Sequence, residues 1–183
     1  MTELALVASE VGVNERTLRR AVNQGTLRAA RLAPRSLRLP LSEQQYVRRS
    51  WPLLSTLRTA LRTEQNVRFV LLFGSAARGT DSAASDIDLL VDMRDSDVGR
   101  VVDLSAKLTT ITGRRVDVVR LEDASTDPFF LADVVGEGRV LVDRDELWPR
   151  LRQSESALRN RARRHEGRRA KAALEGIDRL LIT

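Results

Sequence analysis

The sequence predicts an α+β chain: a small helical head carrying a β-hairpin, then a mixed sheet flanked by helices in α/β fashion, then a C-terminal helix. Three observations predict it. Apolar residues recur at helical spacing over 3–24 and 53–64, and from residue 67 the pattern changes to continuous strand-like runs alternating with helical ones. Charge falls in blocks, with residues 1–66 at net +6, residues 67–146 at −6 and residues 147–183 at +6. Proline and glycine punctuate the changes. Segments 1–50, 51–146 and 147–183 are therefore expected to do different work, a basic head, an acidic centre and a basic tail.

Composition removes several function classes. The chain of 183 residues has no cysteine, which excludes a disulfide scaffold and a thiolate zinc site. His165 is the one histidine, so histidine-based metal or triad chemistry has no support. No run is long and apolar enough to span a bilayer and the first residues lack a signal-peptide core, so a soluble cytoplasmic protein with no membrane partner is expected.

In the head, Leu4, Val7 and Ala8 mark a short helix over 3–10, interrupted by Gly12. Asn14 is a good N-cap for a second helix over 15–24, whose apolar face is Leu18, Ala21 and Val22. Arg16, Arg19, Arg20 and Asn23 fall largely outside that face. Leu27, Leu32, Leu37 and Leu39 around Ala33-Pro34 read as a hairpin with Arg28, Arg31, Arg35 and Arg38 outside. Ser42 is the expected cap of a third helix. This order resembles a small winged helix-turn-helix of the MerR/excisionase-like kind, which implies duplex DNA as partner, read by these arginines and Asn23. Tyr46 and Trp51 are the only aromatics nearby, too few for a single-strand stacking platform.

Trp51-Pro52 predicts a boundary, with Pro52 in the first turn of a new helix over 53–64 striped by Leu53, Leu54, Leu57 and Leu61. Val67–Phe73, Ile87–Met93, Val116–Leu121 and Arg139–Val142 read as strands. A helix carrying Val101, Leu104, Leu108 and Ile111 ends at Gly113, and Asp127-Pro128 opens another through Val135.

The chemistry concentrates in Gly74-Ser75-Ala76-Ala77-Arg78-Gly79 and, with ten residues intervening after Ser75, Asp86-Ile87-Asp88. On a strand the i, i+2 spacing puts both carboxylates on one face. Beside a small-residue turn that can approach phosphate, such a pair suits metal-assisted phosphoryl transfer. Asp117 is a third acid, interrupting the apolar strand Arg115-Val116-Asp117-Val118-Val119. Asp81, in the intervening loop, is expected to meet substrate or solvent.

Gly74-Ser75 followed by Asp86-Ile87-Asp88 resembles the signature of the DNA polymerase β-type nucleotidyltransferase superfamily, and Ala77-Arg78-Gly79 resembles its minimal nucleotidyltransferase (MNT) branch, over roughly residues 53–145. The resemblance implies Asp86, Asp88 and Asp117 as catalytic metal ligands for a pair of Mg2+ (or Mn2+) ions, with Asp117 helping to deprotonate the acceptor. It implies Gly74, Ser75 and Arg78 as contacts for a nucleoside triphosphate, most often ATP. It also implies transfer of NMP to a protein, RNA or small-molecule hydroxyl. Many MNT proteins are antitoxins that AMPylate a HEPN toxin, so a HEPN-type partner and regulation of transcription by the head are expected. Two alternatives stay open at this point: a transcription regulator whose transferase domain only senses nucleotide, and an RNA- or antibiotic-modifying transferase.

Leu147, Leu151 and Leu158 keep a helical stripe into the tail, followed by a basic run from Arg159 to Lys171 and a short apolar face of Ala173, Leu174, Ile177, Leu180 and Leu181. Packing on the centre, a homodimer contact and a grip on nucleic acid are all open for it.

Overall fold

A computed structural model describes residues 3–33 and 36–160 of the chain. The expectations for Arg35, His165 and the tail beyond residue 160 lie outside the described residues. The head begins with α1 (Glu3–Glu10) and α2 (Glu15–Asn23). Asn14 caps α2 through its side chain, which accepts from the Arg16 N–H at 2.8 Å. Leu4, Val7 and Ala8 of α1 are buried, as are Leu18 and Ala21 of α2. Strands β1 (Ala30–Ala33) and β2 (Ser36–Arg38) pair antiparallel as the expected hairpin.

The next helix differs from expectation. Helix α3 (Leu41–Arg62) runs 22 residues without a break, with Pro40 rather than Ser42 at its cap position and Pro52 in its interior. The boundary expected at residues 50 and 51 thus falls inside one helix. An interior proline costs about 3 kcal/mol. Tyr46, Val47, Trp51, Leu54, Leu57 and Leu61 form one buried stripe on both sides of it. At roughly 1.5–3 kcal/mol for each large apolar side chain, that burial outweighs the proline. Pro52 itself is exposed.

After α3 come β3 (Val67–Phe73), the single turn α4 (Gly74–Arg78), β4 (Ile87–Met93), α5 (Val98–Thr112), β5 (Val116–Arg120), α6 (Leu121–Ala124), α7 (Pro128–Glu137) and β6 (Arg139–Asp143). A last helix, α8, occupies 147–160. The sheet order is β5-β4-β3-β6. Strand β3 pairs antiparallel with β4 and β6, and β4 pairs parallel with β5 through the crossover helix α5. The expected mixed sheet with flanking helices is present.

Both faces of β3 are covered, which is why it reads as an unbroken apolar run. Val70 and Leu72 pack in a core with Leu54, Leu57, Leu61, Leu89, Leu104 and Leu108 that continues into the head through Leu18 and Leu39. Phe69, Leu71 and Phe73 point the other way, into a second core with Leu90, Leu131, Val134 and Val135, against which Trp148 and Leu151 of α8 pack. Among the described residues no helix is long and apolar enough to cross a membrane.

A polar hub joins the head to the sheet. Arg139 and Glu43 are both buried and pair end-on, Nη1 to Oε1 at 2.6 Å and Nη2 to Oε2 at 3.0 Å. Arg139 also donates from Nε to the Ala77 carbonyl at 2.6 Å and lies 3.4 Å from the Tyr46 ring centroid. Tyr46 donates to the Ala76 carbonyl at 3.1 Å, and burial pushes its hydroxyl up to about 12, with Arg139 partly opposing. The head is thereby bonded directly to the turn that carries Gly74 and Ser75.

Candidate active site

The site is built at one end of the sheet, where β3 turns into α4 and where β4 and β5 begin. Phe73 pairs with Asp88, and Asp88 pairs with Asp117 across the parallel ladder. Register therefore puts the Asp88 and Asp117 side chains side by side on one face, and Asp86, two residues before Asp88, joins them. Asp86 is exposed and the other two are half-buried.

Gly74 allows the carboxylate to approach the turn. Its φ is 70°, and a Cβ added there would lie 2.2 Å from Asp88 Oδ2. A side chain at this position would clash with the acid as well as strain the backbone.

The electrostatics show how crowded the acids are. Asp88 is held above the usual carboxylate range by burial first, then by repulsion from Asp117 and Asp86, with Arg78 opposing and Glu137 adding to the repulsion. A divalent cation relieves this kind of crowding, and hard carboxylate oxygens suit Mg2+. The donor set fits that ion. The carboxylates do not yet converge: among the described residues no group of three acids stands ready to hold an ion. One reason is visible, since Arg115 Nε donates to Asp117 Oδ1 at 2.9 Å.

Glu137, at the end of α7, is a site residue that the sequence reading missed. Its Oε1 accepts from the Gly74 N–H at 2.9 Å and its Oε2 from Arg78 Nη1 at 2.6 Å. The backbone donor and the guanidinium expected to meet phosphate are thus occupied by the chain's own carboxylate. Ser75 lies half-exposed beside them.

The loop between α4 and β4 is pinned by residues that had no expected role there. Arg114 donates from Nη1 to Asp81 Oδ2 at 2.8 Å and from Nε to the Ser85 carbonyl at 2.9 Å. Arg49 donates to the Gly79 carbonyl at 3.0 Å and to that of Asp81. Asp81 therefore shapes the loop: its side chain is 11% exposed and paired, so it is not turned to solvent.

The expected DNA-reading residues separate into groups. Arg16, Arg20 and Asn23 line clefts beside α3. Arg19 is paired to Glu15 at 2.6 Å, and Arg38 lies 4.0 Å from Glu3. Arg31 is exposed on β1. Arg28 turns toward the end of α7, donating to the Glu137 carbonyl, and its basicity is lowered by burial and then by Arg139.

Comparison with known proteins accords with this geometry. The family model described as polymerase beta nucleotidyltransferase matches residues 55–147. Among curated protein sequences none matches the chain. Three solved structures share the fold. A chain from a toxin–antitoxin complex with AMP-PNP is 24% identical, with a TM-score of 0.53 over 68% of this chain and 97% of that one. A chain from a mutant MntA–HpeT toxin–antitoxin complex is 22% identical, with a TM-score of 0.53 over 68% and 97%. A chain from the Shewanella oneidensis complex of tri-AMPylated HEPN toxin with MNT antitoxin is 21% identical, with a TM-score of 0.51 over 70% and 98%. With the family model spanning more than half of the chain, and the acids and Gly-Ser turn in the places described, this protein belongs to the polymerase beta nucleotidyltransferase family.

Proposed function

We propose that the chain is a nucleotidyltransferase antitoxin that transfers AMP from ATP to a hydroxyl of a HEPN-type toxin and binds duplex DNA through a winged helix-turn-helix head. The observation that carries the transferase part is the register pairing of Asp88 with Asp117 beside the left-handed Gly74. The likeness to toxin–antitoxin complexes, one with AMP-PNP and one with an AMPylated HEPN toxin, favours this substrate and partner. The head reading rests on the helix, capped helix, hairpin and helix order of α1, α2, β1–β2 and α3.

In this reading the acceptor hydroxyl attacks the α-phosphorus, the bond to the bridging oxygen breaks, and pyrophosphate leaves. Asp86, Asp88 and Asp117 are the residues that would hold Mg2+ ions, which supply charge neutralisation at the phosphoryl oxygens. Asp117 receives the hydroxyl proton once it has left Arg115. The Gly74 N–H, the Ser75 hydroxyl and Arg78 hold the outer phosphates after Glu137 has been displaced. Gly74 keeps the turn close enough for Asp88 and the triphosphate to share it.

Two observations favour a second reading. With Asp117 bonded to Arg115 and Glu137 on Gly74, the site as it stands suits a nucleotide sensor that switches the head without turnover. Incubation of host lysate with each α-labelled nucleoside triphosphate separates the two. The transferase reading expects a labelled band with wild type that is absent with Asp86→Ala/Asp88→Ala. No band with any nucleotide, together with DNA binding that responds to ATP, supports the sensor instead.

A further inference from the structure

Two clefts, of about 770 and 630 Å3, meet along the seam between α2 and α3, and Arg20, Arg58 and Arg62 line both. Arg16 lines the cleft nearer the start of α2, while the other reaches the Asp143 end of β6. Arg16 and Arg20 are one turn apart on α2, and Arg58 and Arg62 are one turn apart on α3, so each helix contributes a stripe.

The charges in this trough are not internally neutralised. Arg16, Arg20 and Arg62 are exposed, and among the described residues none of the four arginines forms an ion pair with a carboxylate. Of the two acids along the seam, Asp143 already accepts from the backbone N–H groups of Leu147 and Trp148, at 2.8 and 3.0 Å. Glu146 is exposed at the rim. Arg58 is half-buried and held by neutral oxygens, Gln24 Oε1 at 2.5 Å and Thr26 Oγ1 at 3.2 Å. Burial lowers its basicity, and Arg62 and Arg20 lower it further, so the three guanidiniums feel one another. Such a cluster is stabilised by an external anion, and two connected clefts favour an elongated polyanion over a compact one.

We infer that this trough binds the phosphodiester backbone of a nucleic acid, with α3 supplying half of the basic surface. The inference deepens the nucleic-acid part of the reading above and does not depend on the transferase part. On β3, Phe69 pairs with Asp143 and Phe73 pairs with Asp88, so Asp143, at the far end of the trough, and Asp88 are roughly 13 Å apart along the strand.

Full-length protein titrated by fluorescence anisotropy against a labelled mixed-sequence DNA duplex and a single-stranded RNA, each over a salt series, tests this. Arg20→Glu/Arg62→Glu should weaken binding at least about tenfold and flatten the salt slope by about 2, while Arg20→Lys/Arg62→Lys keeps both. The wing variant Arg31→Glu/Arg38→Glu should lose less, and Asp86→Ala/Asp88→Ala should bind as wild type. The better-bound probe identifies the source of the backbone. Single Arg20→Gln and Arg62→Gln variants, at exposed positions, repeat the measurement with minimal disturbance to folding. Wild-type affinity and slope in the trough variants, with binding lost in the wing variant, would overturn the trough and leave the winged head standing. Failure of the wild type to bind either probe would overturn both.

Discussion

The Gly74 N–H donates to Glu137 Oε1 at 2.9 Å while Arg78 holds the other oxygen of the same carboxylate at 2.6 Å. A carboxylate bonded by one backbone donor and one guanidinium copies what a phosphate group asks of a site. Glu137 also raises Asp88, so the acid that occupies the anion seat works against the acid expected to hold metal. In the proposed reading, nucleotide and Glu137 compete for one set of donors.

Glu137→Gln should therefore bind nucleotide more tightly. Removing the charge weakens the internal competitor and lowers repulsion toward the triphosphate, which predicts a Kd for ATP reduced on the order of tenfold. Isothermal titration of wild type and variant checks it. Weaker binding by the variant would instead make Glu137 a substrate contact.

Gly74→Ala should be more damaging than a surface glycine change. Left-handed backbone costs an alanine roughly 1–2 kcal/mol, and the new Cβ falls on the Asp88 carboxylate. A lower Tm together with a kcat reduced by about a hundredfold or more is expected. Gly12, which is also left-handed but has open space around it, is the control: its alanine variant should lose stability and keep activity.

The Glu43–Arg139 pair makes a sharp stability prediction. Breaking a buried pair by removing one partner strands a charge and costs about 3–5 kcal/mol. Arg139→Met should approach that loss in urea unfolding, and Glu43→Gln/Arg139→Met should recover part of it. A loss below about 1 kcal/mol in Arg139→Met would show that the pair is solvated.

Asp88 gives a pH dependence of defined sign. Its folded-state pKa lies above its unfolded value, so between the two the folded state holds more protons. Stability then falls as pH rises through that window and stays lower at neutral pH. Asp88→Asn should raise Tm at pH 7, on the order of a few degrees, and the gain should shrink in acid below the unfolded pKa. Added Mg2+ should stabilise wild type more than the variant. Equal Tm values across the whole pH range would contradict this.

Much of the fold was legible because local and tertiary signals agree. Strands β3 and β4 read as apolar runs since both sheet faces are covered, and Asn14 and Asp127 cap the helices that follow them. The candidate acids Asp88 and Asp117 were legible for the opposite reason, as charges that interrupt apolar strands. What the sequence hid depends on packing between distant segments. Pro52 signals a break locally, and only the buried stripe from Tyr46 to Leu61 overrides it. Glu137 closes an ordinary helix and reaches Gly74 only through the placing of α7. Arg58 and Arg62 look like the solvent face of a core helix until α2 is laid beside them. Arg28 looks like a wing residue until its contact with Glu137 is seen.

The most direct measurement of the central claim is transfer from ATP labelled at the α- or the γ-phosphate to a HEPN-type partner protein, with the full chain and Mg2+. Nucleotidyl transfer predicts that the α-label stays on the partner and the γ-label leaves with pyrophosphate, and that Asp86→Ala/Asp88→Ala abolishes labelling. Retention of the γ-label, or equal labelling by the variant, would contradict it.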